Sequence, residues 1–411
     1  MLRKGDLTQG GITGTLLHFT LPMLVGSFLQ QCYNIADTLI VGQCIGAGAL
    51  AAVGSAYTLM VFLISVLLGL AMGSGTVFSL HYGAGNHVAL RRSIFSSFAL
   101  IGIVTLILNV VVFIWLDPIL RLLQVPQDIY GMMRSYLWII FCGIVFTFIY
   151  NFYASLLRAV GDSVTPLWFL AVSVVLNIAL DLFFILQLDW GIQGAAAATV
   201  LAQGVAALGI IIYTYRRRPE LRWHHEDMCF DRTCLKEIAS FSTLTCVQQS
   251  VMNLGILMVQ GLVNSFGTAV MAAFAAAVKI DSFAYMPVQE FGNAFSTFIA
   301  QNFGAGRYDR IHRGVRSAFV TAVVLFAPCV RIGFHLCQTV DAYLCPSGRN
   351  GDYCGGSGVP THRRCFLLWH RHLVFAVRIL SGHPYAGHVC CADRAVAGHP
   401  CSSFLLACFD T

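Results

Sequence analysis

TVFSLHYGAGNHVALRRSIFSSF, residues 76–98, returns in outline 221 residues later as TFIAQNFGAGRYDRIHRGVRSAF, residues 297–319. Thr76 aligns with Thr297, and the turn Gly83-Ala84-Gly85 with Gly304-Ala305-Gly306. Seven residues after each turn comes an arginine, Arg92 or Arg313, and then Phe98 or Phe319. Upstream the match continues through Gly46 and Gly267, Ala51 and Ala272, Ala52 and Ala273, Ala56 and Ala277, and Phe62 and Phe283. Ala and Phe coincide readily in apolar sequence. A Gly-Ala-Gly turn with an arginine at a fixed distance does so far less readily, and a repeat of this kind decides the architecture.

The repeat is set in a chain of 411 residues that is 57% hydrophobic and only 11% charged. Soluble domains carry about 25% charged residues. That excludes a soluble enzyme, a nucleic-acid binder and a disordered protein, and leaves an all-α integral membrane protein. Apolar runs long enough to cross a bilayer are predicted near 16–40, 54–80, 94–116, 135–157, 164–187, 191–215, 236–262, 270–302 and 314–328. These nine runs lack the alternation of an outer-membrane barrel. With the N-terminus cytoplasmic, fifteen Lys and Arg residues fall in inside loops and only Arg121 and Arg134 outside, as the positive-inside rule requires. The protein is therefore expected as a multi-pass protein of the cytoplasmic membrane. An even number of spans separates the two copies of the repeat, so they share one orientation, as in transporters built of two lobes around a central cavity. Residues 1–215 form the first lobe, 216–235 a cytoplasmic linker, and 236–328 part of a second lobe.

Ionisable and amide groups inside spans are costly and mark function. Asp37 lies late in span one. Asn177 and Asp181 are four apart on one face of span five, and Thr199 lies two turns into span six. All four fall in the outer half of the bilayer and together make an all-oxygen set. Hard cations take oxygen ligands, and two neighbouring carboxyls in low dielectric share a proton. The set therefore suits Na⁺ or H⁺ as a coupling ion, with no other metal or cofactor. Pro22 removes a backbone hydrogen bond from span one and is the candidate hinge. The candidates for lining the cavity are Gln30, Gln31 and Asn34 in span one, Gln248, Gln249 and Asn253 in span seven, and Lys279, Asp281 and Glu290 in span eight. Asp117 and Asp189 read as solitary interface residues. Neither they nor any H-E-x-x-H or G-x-S-x-G motif indicates an enzyme.

Five stretches resemble the multidrug and toxic compound extrusion (MATE) family: PMLVGSFLQQCYNIADTLIVG (22–42), LLRAVGDSVTP (156–166), LNIALDLF (176–183), GAAAATVLAQ (194–203) and QEFGNAFSTFIAQNFG (289–304). The resemblance covers about residues 5–327. It implies a two-lobe bundle of twelve helices, of which about nine are recognisable here. It also implies alternating-access export of amphipathic organic cations, driven by inward Na⁺ or H⁺. The family's first-lobe cation site maps onto Asp37, Asn177, Asp181 and Thr199, and its first-helix proline onto Pro22. The helix-seven acid of other branches has no counterpart in residues 239–262. The partners implied are small organic cations and membrane lipid, with no nucleic acid and no implied oligomeric state. A flippase for lipid-linked precursors, with a related fold, is the alternative transporter. It would need cationic residues at mid-depth, and the first lobe has none.

Residues 329–411 break the pattern. They hold nine of the 15 cysteines, seven of the 13 histidines and seven arginines without a lysine. The cysteines lack paired C-x₂-C spacing, and His370 and His372 are too close for a zinc finger. The expectation is an out-of-frame tail following a shift near codon 328, which would make the chain a truncated remnant. Reading the gene across codons 320–340 in all three frames tests this. The missing apolar spans should reappear in another frame, and a random-looking alternative frame would discard the idea.

Overall fold

In the computed structural model the described residues are 6–122, 125, 127–228, 232–264 and 268–322. The tail 329–411 lies outside them, as do the side chains of Lys279 and Asp281. The helices are α1 (Ile12–Cys44), α2 (Ala47–Gly83), α3 (His87–Leu122), α4 (Gln127–Cys142), α5 (Ile144–Ala159), α6 (Val164–Leu182), α7 (Gly191–Arg217), α8 (Arg232–Asn264) and α9 (Thr268–Gly304). A further helix, α10, covers 308–322. Over their described residues the expected spans are helical apart from a break at Gly143; residues 323–328 of the ninth lie outside the described residues. Among the described residues, five helices are long and apolar enough to cross a membrane, and the bent pair α4–α5, taken as one span, supplies a sixth. These six belong to the first lobe. α8 and α9, at 33 and 37 residues, match α1 and α2 in length but carry more polar residues. The outer face of α3 exposes Ile103, Leu106, Ile107, Val110 and Ile114.

One span departs from expectation. The run at 135–157 is not a single rod but two helices meeting at 48°. No proline sits there. The break falls at Gly143, where a Cβ would come within 2.5 Å of Val200 on α7. A tertiary contact, not a local breaker, sets the kink. Asp117 is not solitary either: it accepts hydrogen bonds from Tyr130 and Arg134, both at 2.8 Å.

The 221-residue repeat is visible atom by atom. Gly85 and Gly306 both end their helices in the left-handed region at φ +68°, where glycine carries no steric penalty. Gly85 N–H donates to Tyr82 O at 3.0 Å, and Gly306 N–H donates to the equivalent Phe303 O at 3.0 Å. The two turns lie at the end of the bundle that carries the basic loops, here called the basic end. There α2 and α9 cross in backbone contact. A Cβ on Gly83 would lie 2.0 Å from Gln301 O, and one on Gly304 would lie 2.0 Å from Leu80 O. Leu80 and Gln301 are themselves repeat partners. Two glycines thus meet two carbonyls about a local two-fold.

Around this crossing the basic end is tied shut. Leu7 N–H donates to Gln301 Oε1 (3.1 Å), and Gln301 Nε2 donates to Ala159 O at the end of α5 (2.6 Å). Asn302 donates to Leu7 O (3.3 Å), Arg307 to Thr8 O (2.8 Å), and Arg310 to Gly10 O (2.7 Å) and Gln9 O (2.8 Å). Leu7, Leu16, Phe19 and Met23 pack there with Phe291, Ala294, Phe298 and Ala318. The linker is docked as well. Arg218 pairs with Asp162 (3.1 Å) and Arg91 with Asp227 (2.7 Å). Burial works against the Asp227 charge, but the His224 N–H and the Arg91 guanidinium outweigh it and hold the carboxyl below its ordinary range.

Gly83→Ala should therefore lower the thermal midpoint of the purified protein, because overpacking against a backbone costs about 1–3 kcal/mol. Gly54→Ala is the control. Nothing stands within 4 Å of a Cβ at Gly54, so its midpoint should hold or rise slightly.

Candidate functional site

α6 and α7 are antiparallel neighbours joined by a π-helical turn, Phe183–Gln187. Such turns insert one extra residue and often sit beside functional groups. Phe184 stacks on Trp190 with ring centroids 5.1 Å apart. Gly194 packs its bare Cα against both; a Cβ there would be 3.0 Å from Phe184 Cβ and 3.2 Å from Trp190 Cβ. Gly191, at φ +54°, starts α7 in a conformation that suits glycine. This clasp fixes the register that turns Asn177 and Asp181 of α6 toward Thr199 of α7. α1 lies along α6, with Gly26 admitting Leu167 and Leu170 (3.7 and 3.8 Å), and brings Asp37 to the same place.

All four expected residues are buried: Asp37, Asn177, Asp181 and Thr199. Their polar groups form an ordered chain. The Tyr33 hydroxyl lies 3.2 Å from Thr199 Oγ1, and Thr199 Oγ1 lies 3.3 Å from the Asn177 amide. With the amide turned to satisfy both of its ends, Asn177 Nδ2 donates to Asp181 Oδ2 at 2.8 Å, and its oxygen accepts the Thr199 N–H at 3.2 Å. In that sense Tyr33 donates to Thr199, Thr199 to Asn177, and Asn177 to Asp181. The Asp181 and Asp37 carboxyls lie within interaction range of each other. Asp37 Oδ1 and Asp181 Oδ1 are buried with no hydrogen-bond partner among the described residues.

That pair of orphaned oxygens defines the chemistry. Two carboxyls within interaction range, away from water, cannot both hold a negative charge without a positive partner. The partner is either a shared proton or a small cation. The surrounding ligands are all oxygen, which suits a hard monovalent ion. Among the described residues there is no group of three His, Cys, Asp or Glu able to hold a transition metal.

Two contributors escape sequence reasoning. Tyr33 stands one turn before Asp37 on α1. Tyr136, buried on α4, lies within electrostatic reach of Asp37, Tyr33 and Asp181. The four-residue spacing of Tyr33 from Asp37 is a usable signal. Tyr136 gives none, since tyrosine near a span end is ordinary.

The other expected residues lie elsewhere. Pro22 is inside an unbroken α1, fifteen residues before Asp37. Gln30, Gln31 and Asn34 are half-buried on α1, and Asn34 donates to Gln31 at 3.1 Å. On α8, Gln248 is exposed and Gln249 half-buried, while Asn253 donates to its own helix at Gln249 O (3.0 Å). Glu290 of α9 accepts a hydrogen bond from Ser27 of α1 at 2.8 Å.

Comparison with known proteins agrees with this fold. The family model MatE matches residues 22–183 and 245–342, so Asp37, Asn177 and Asp181 lie within the match and Thr199 outside it. A Bacillus subtilis (strain 168) protein, "Probable multidrug resistance protein YpnP", is 31% identical over 317 residues, covering 75% of this chain and 69% of its own length. "Multidrug export protein MepA" of Staphylococcus saprophyticus is 26% identical over 327 residues, covering 78% of this chain and 70% of its own. Among solved structures, an outward-facing MATE-family transporter of the MOP superfamily superposes with a TM-score of 0.75 at 21% identity, over 81% of this chain and 74% of that one. A MATE protein in complex with MaD3S gives 0.76 at 22% identity, over 84% and 78%.

The donor chain makes a prediction of its own. Tyr33→Phe removes its first link without touching a carboxyl. A net hydrogen bond contributes about 0.5–1.5 kcal/mol, so cation affinity measured by calorimetry should fall by less than about tenfold. Asn177→Ala leaves Asp181 Oδ2 without its donor and should cost more than Tyr33→Phe. Equal affinities in all three proteins would show that the chain does not act on the acid pair.

Proposed function

The chain belongs to the multidrug and toxic compound extrusion family, and from that premise we propose that it exports amphipathic organic cations across the cytoplasmic membrane in exchange for inward-moving Na⁺ or H⁺. The observation that carries this reading is the pair of orphaned carboxyl oxygens, Asp37 Oδ1 and Asp181 Oδ1. A buried pair in that state is a receptor for one positive charge, and its energy changes steeply with occupancy.

The basic end faces the cytoplasm in this reading, as the loop charges require. Asp37 is seven residues from the opposite end of α1, about 10 Å at 1.5 Å per residue. The coupling ion thus enters from outside over a short path. An outside ion or proton settles on the free oxygens and removes the repulsion between the carboxyls. α1 then rearranges around Asp37. Pro22, which leaves the His18 carbonyl without its helical donor, is the point where α1 yields. The organic cation leaves as the positive charge arrives. The basic end opens next, and the ion passes inward.

The test uses the full chain in proteoliposomes with an imposed Na⁺ or pH gradient. Asp37→Asn and Asp181→Asn each supply a neutral amide in place of a switchable charge. Each should abolish gradient-driven export of ethidium. Efflux at the parent rate in both variants, or no gradient-driven efflux by the parent chain, would reject the mechanism.

A further inference from the structure

Glu290 is a second intramembrane acid, remote from the acid pair. It lies 14 residues from the end of α9 at Gly304, about 21 Å along the helix, so it sits near mid-membrane. Among the described residues, the neutral Ser27 hydroxyl donates to it at 2.8 Å. No ion pair among the described residues involves it. A half-buried carboxylate whose partner among the described residues is a hydroxyl is suited to take a positive charge from a bound molecule.

The internal repeat sharpens the point. The counterpart of Glu290 in the first repeat is Gly69, 221 residues earlier. At Gly69 the chain demands glycine: a Cβ would stand 2.5 Å from Cys246 Cα on α8. The equivalent crossing in the second repeat, between α9 and α1, carries a glutamate at the same position. Packing does not ask for it there. The crossing that is backbone-tight in one half is open enough in the other to hold an acidic side chain.

Ser27 also begins a polar stripe. Ser27, Gln31, Asn34 and Thr38 follow one another at helical spacing on α1, with Asn34 donating to Gln31 (3.1 Å) and Thr38 to Asn34 O (2.6 Å). The stripe runs from Glu290 to the level of Asp37, about 15 Å. A molecule with one positive group and an apolar body, placed at Glu290, therefore has a polar track on one side leading toward the acid pair.

We propose that Glu290 is the docking point for the positive group of the exported organic cation, which takes the carboxylate over from Ser27. This rests on the export reading above and places substrate and coupling ion on separate acids, one in each lobe.

The probe is tetraphenylphosphonium, which is permanently charged, titrated into the full chain in lipid nanodiscs. Glu290→Gln should weaken its binding at least about tenfold, a loss of about 1.4 kcal/mol. Glu290→Asp keeps the charge and should bind within about threefold of the parent. Proton or Na⁺ uptake that depends on Asp37 and Asp181 should persist in Glu290→Gln. Parent-like binding by Glu290→Gln overturns the proposal, as does equal loss in Glu290→Asp and Glu290→Gln. If tetraphenylphosphonium binding vanishes in Asp37→Asn but survives in Glu290→Gln, docking belongs to the first lobe, and only this inference falls. If the parent binds no tetraphenylphosphonium and shows no uptake at the acid pair, the export reading falls with it.

Discussion

Two helices of the bundle touch backbone to backbone, and the remaining geometry depends on that contact. Lipid tails are as apolar as leucine, so helices in a membrane gain little from burying leucines against one another; close approach of small residues takes over. Gly83 and Gly304 carry this to its limit, each with a carbonyl where a methyl would have to go. The contact continues along α2 and α8, where Gly73 meets Ser242 and the Ser74 and Ser242 hydroxyls lie 3.2 Å apart. Because the glycines are repeat partners, one duplicated turn supplies both sides of the crossing. It closes the basic end at a single point around which the rest of α1 and α9 are arranged.

α1 is the element that reads this closure and passes it on. Near its start, Thr13 meets Ser317 of α10 at 2.7 Å. Halfway along, Ser27 holds Glu290. Toward its far end, Asp37 meets Asp181. One helix thus touches the closed end, the mid-membrane acid and the acid pair in turn, with Pro22 between the first contact and the second. In the proposed mechanism a change of charge at Asp37 would alter what α1 gains from staying where it is, and Pro22 would absorb the change at one point of the rod.

How much of this was legible follows from what is expensive in a membrane. Asp37, Asn177, Asp181 and Thr199 stood out because polar groups within apolar runs are costly, and their shared depth could be counted along the chain. The six apolar spans of α1 to α7 and the Gly-Ala-Gly repeat were legible for the same reason: apolarity and glycine leave strong local marks. Tyr33 left only its four-residue spacing from Asp37, and Tyr136 left no mark, since a phenol is at home in a membrane protein whether or not it faces a carboxylate. The α4–α5 break was silent because its cause, Val200, lies on another helix. The ties at the basic end were silent too. Their acceptors are the main-chain carbonyls of Leu7, Thr8, Gln9 and Gly10, which every sequence possesses. Glu290 was visible as a costly residue, but its meaning came only from setting it beside Gly69.

The composition of the closed end also bears on how it can open. Leu7, Gln301, Asn302, Arg307 and Arg310 hold it largely through hydrogen bonds to main-chain carbonyls. A bond of that kind contributes about 0.5–1.5 kcal/mol net, because water takes over the partners when it breaks. Moving a two-state equilibrium from 1:99 to 99:1 takes about 5.5 kcal/mol of differential binding. A seal made only of apolar side chains would resist opening by exposing all of its surface to water. A seal made in good part of solvent-replaceable bonds stays within reach of what one bound charge at a buried acid pair can supply. In the export mechanism proposed above, the polar character of the ties is what would let a site near the far end govern a gate at the basic end.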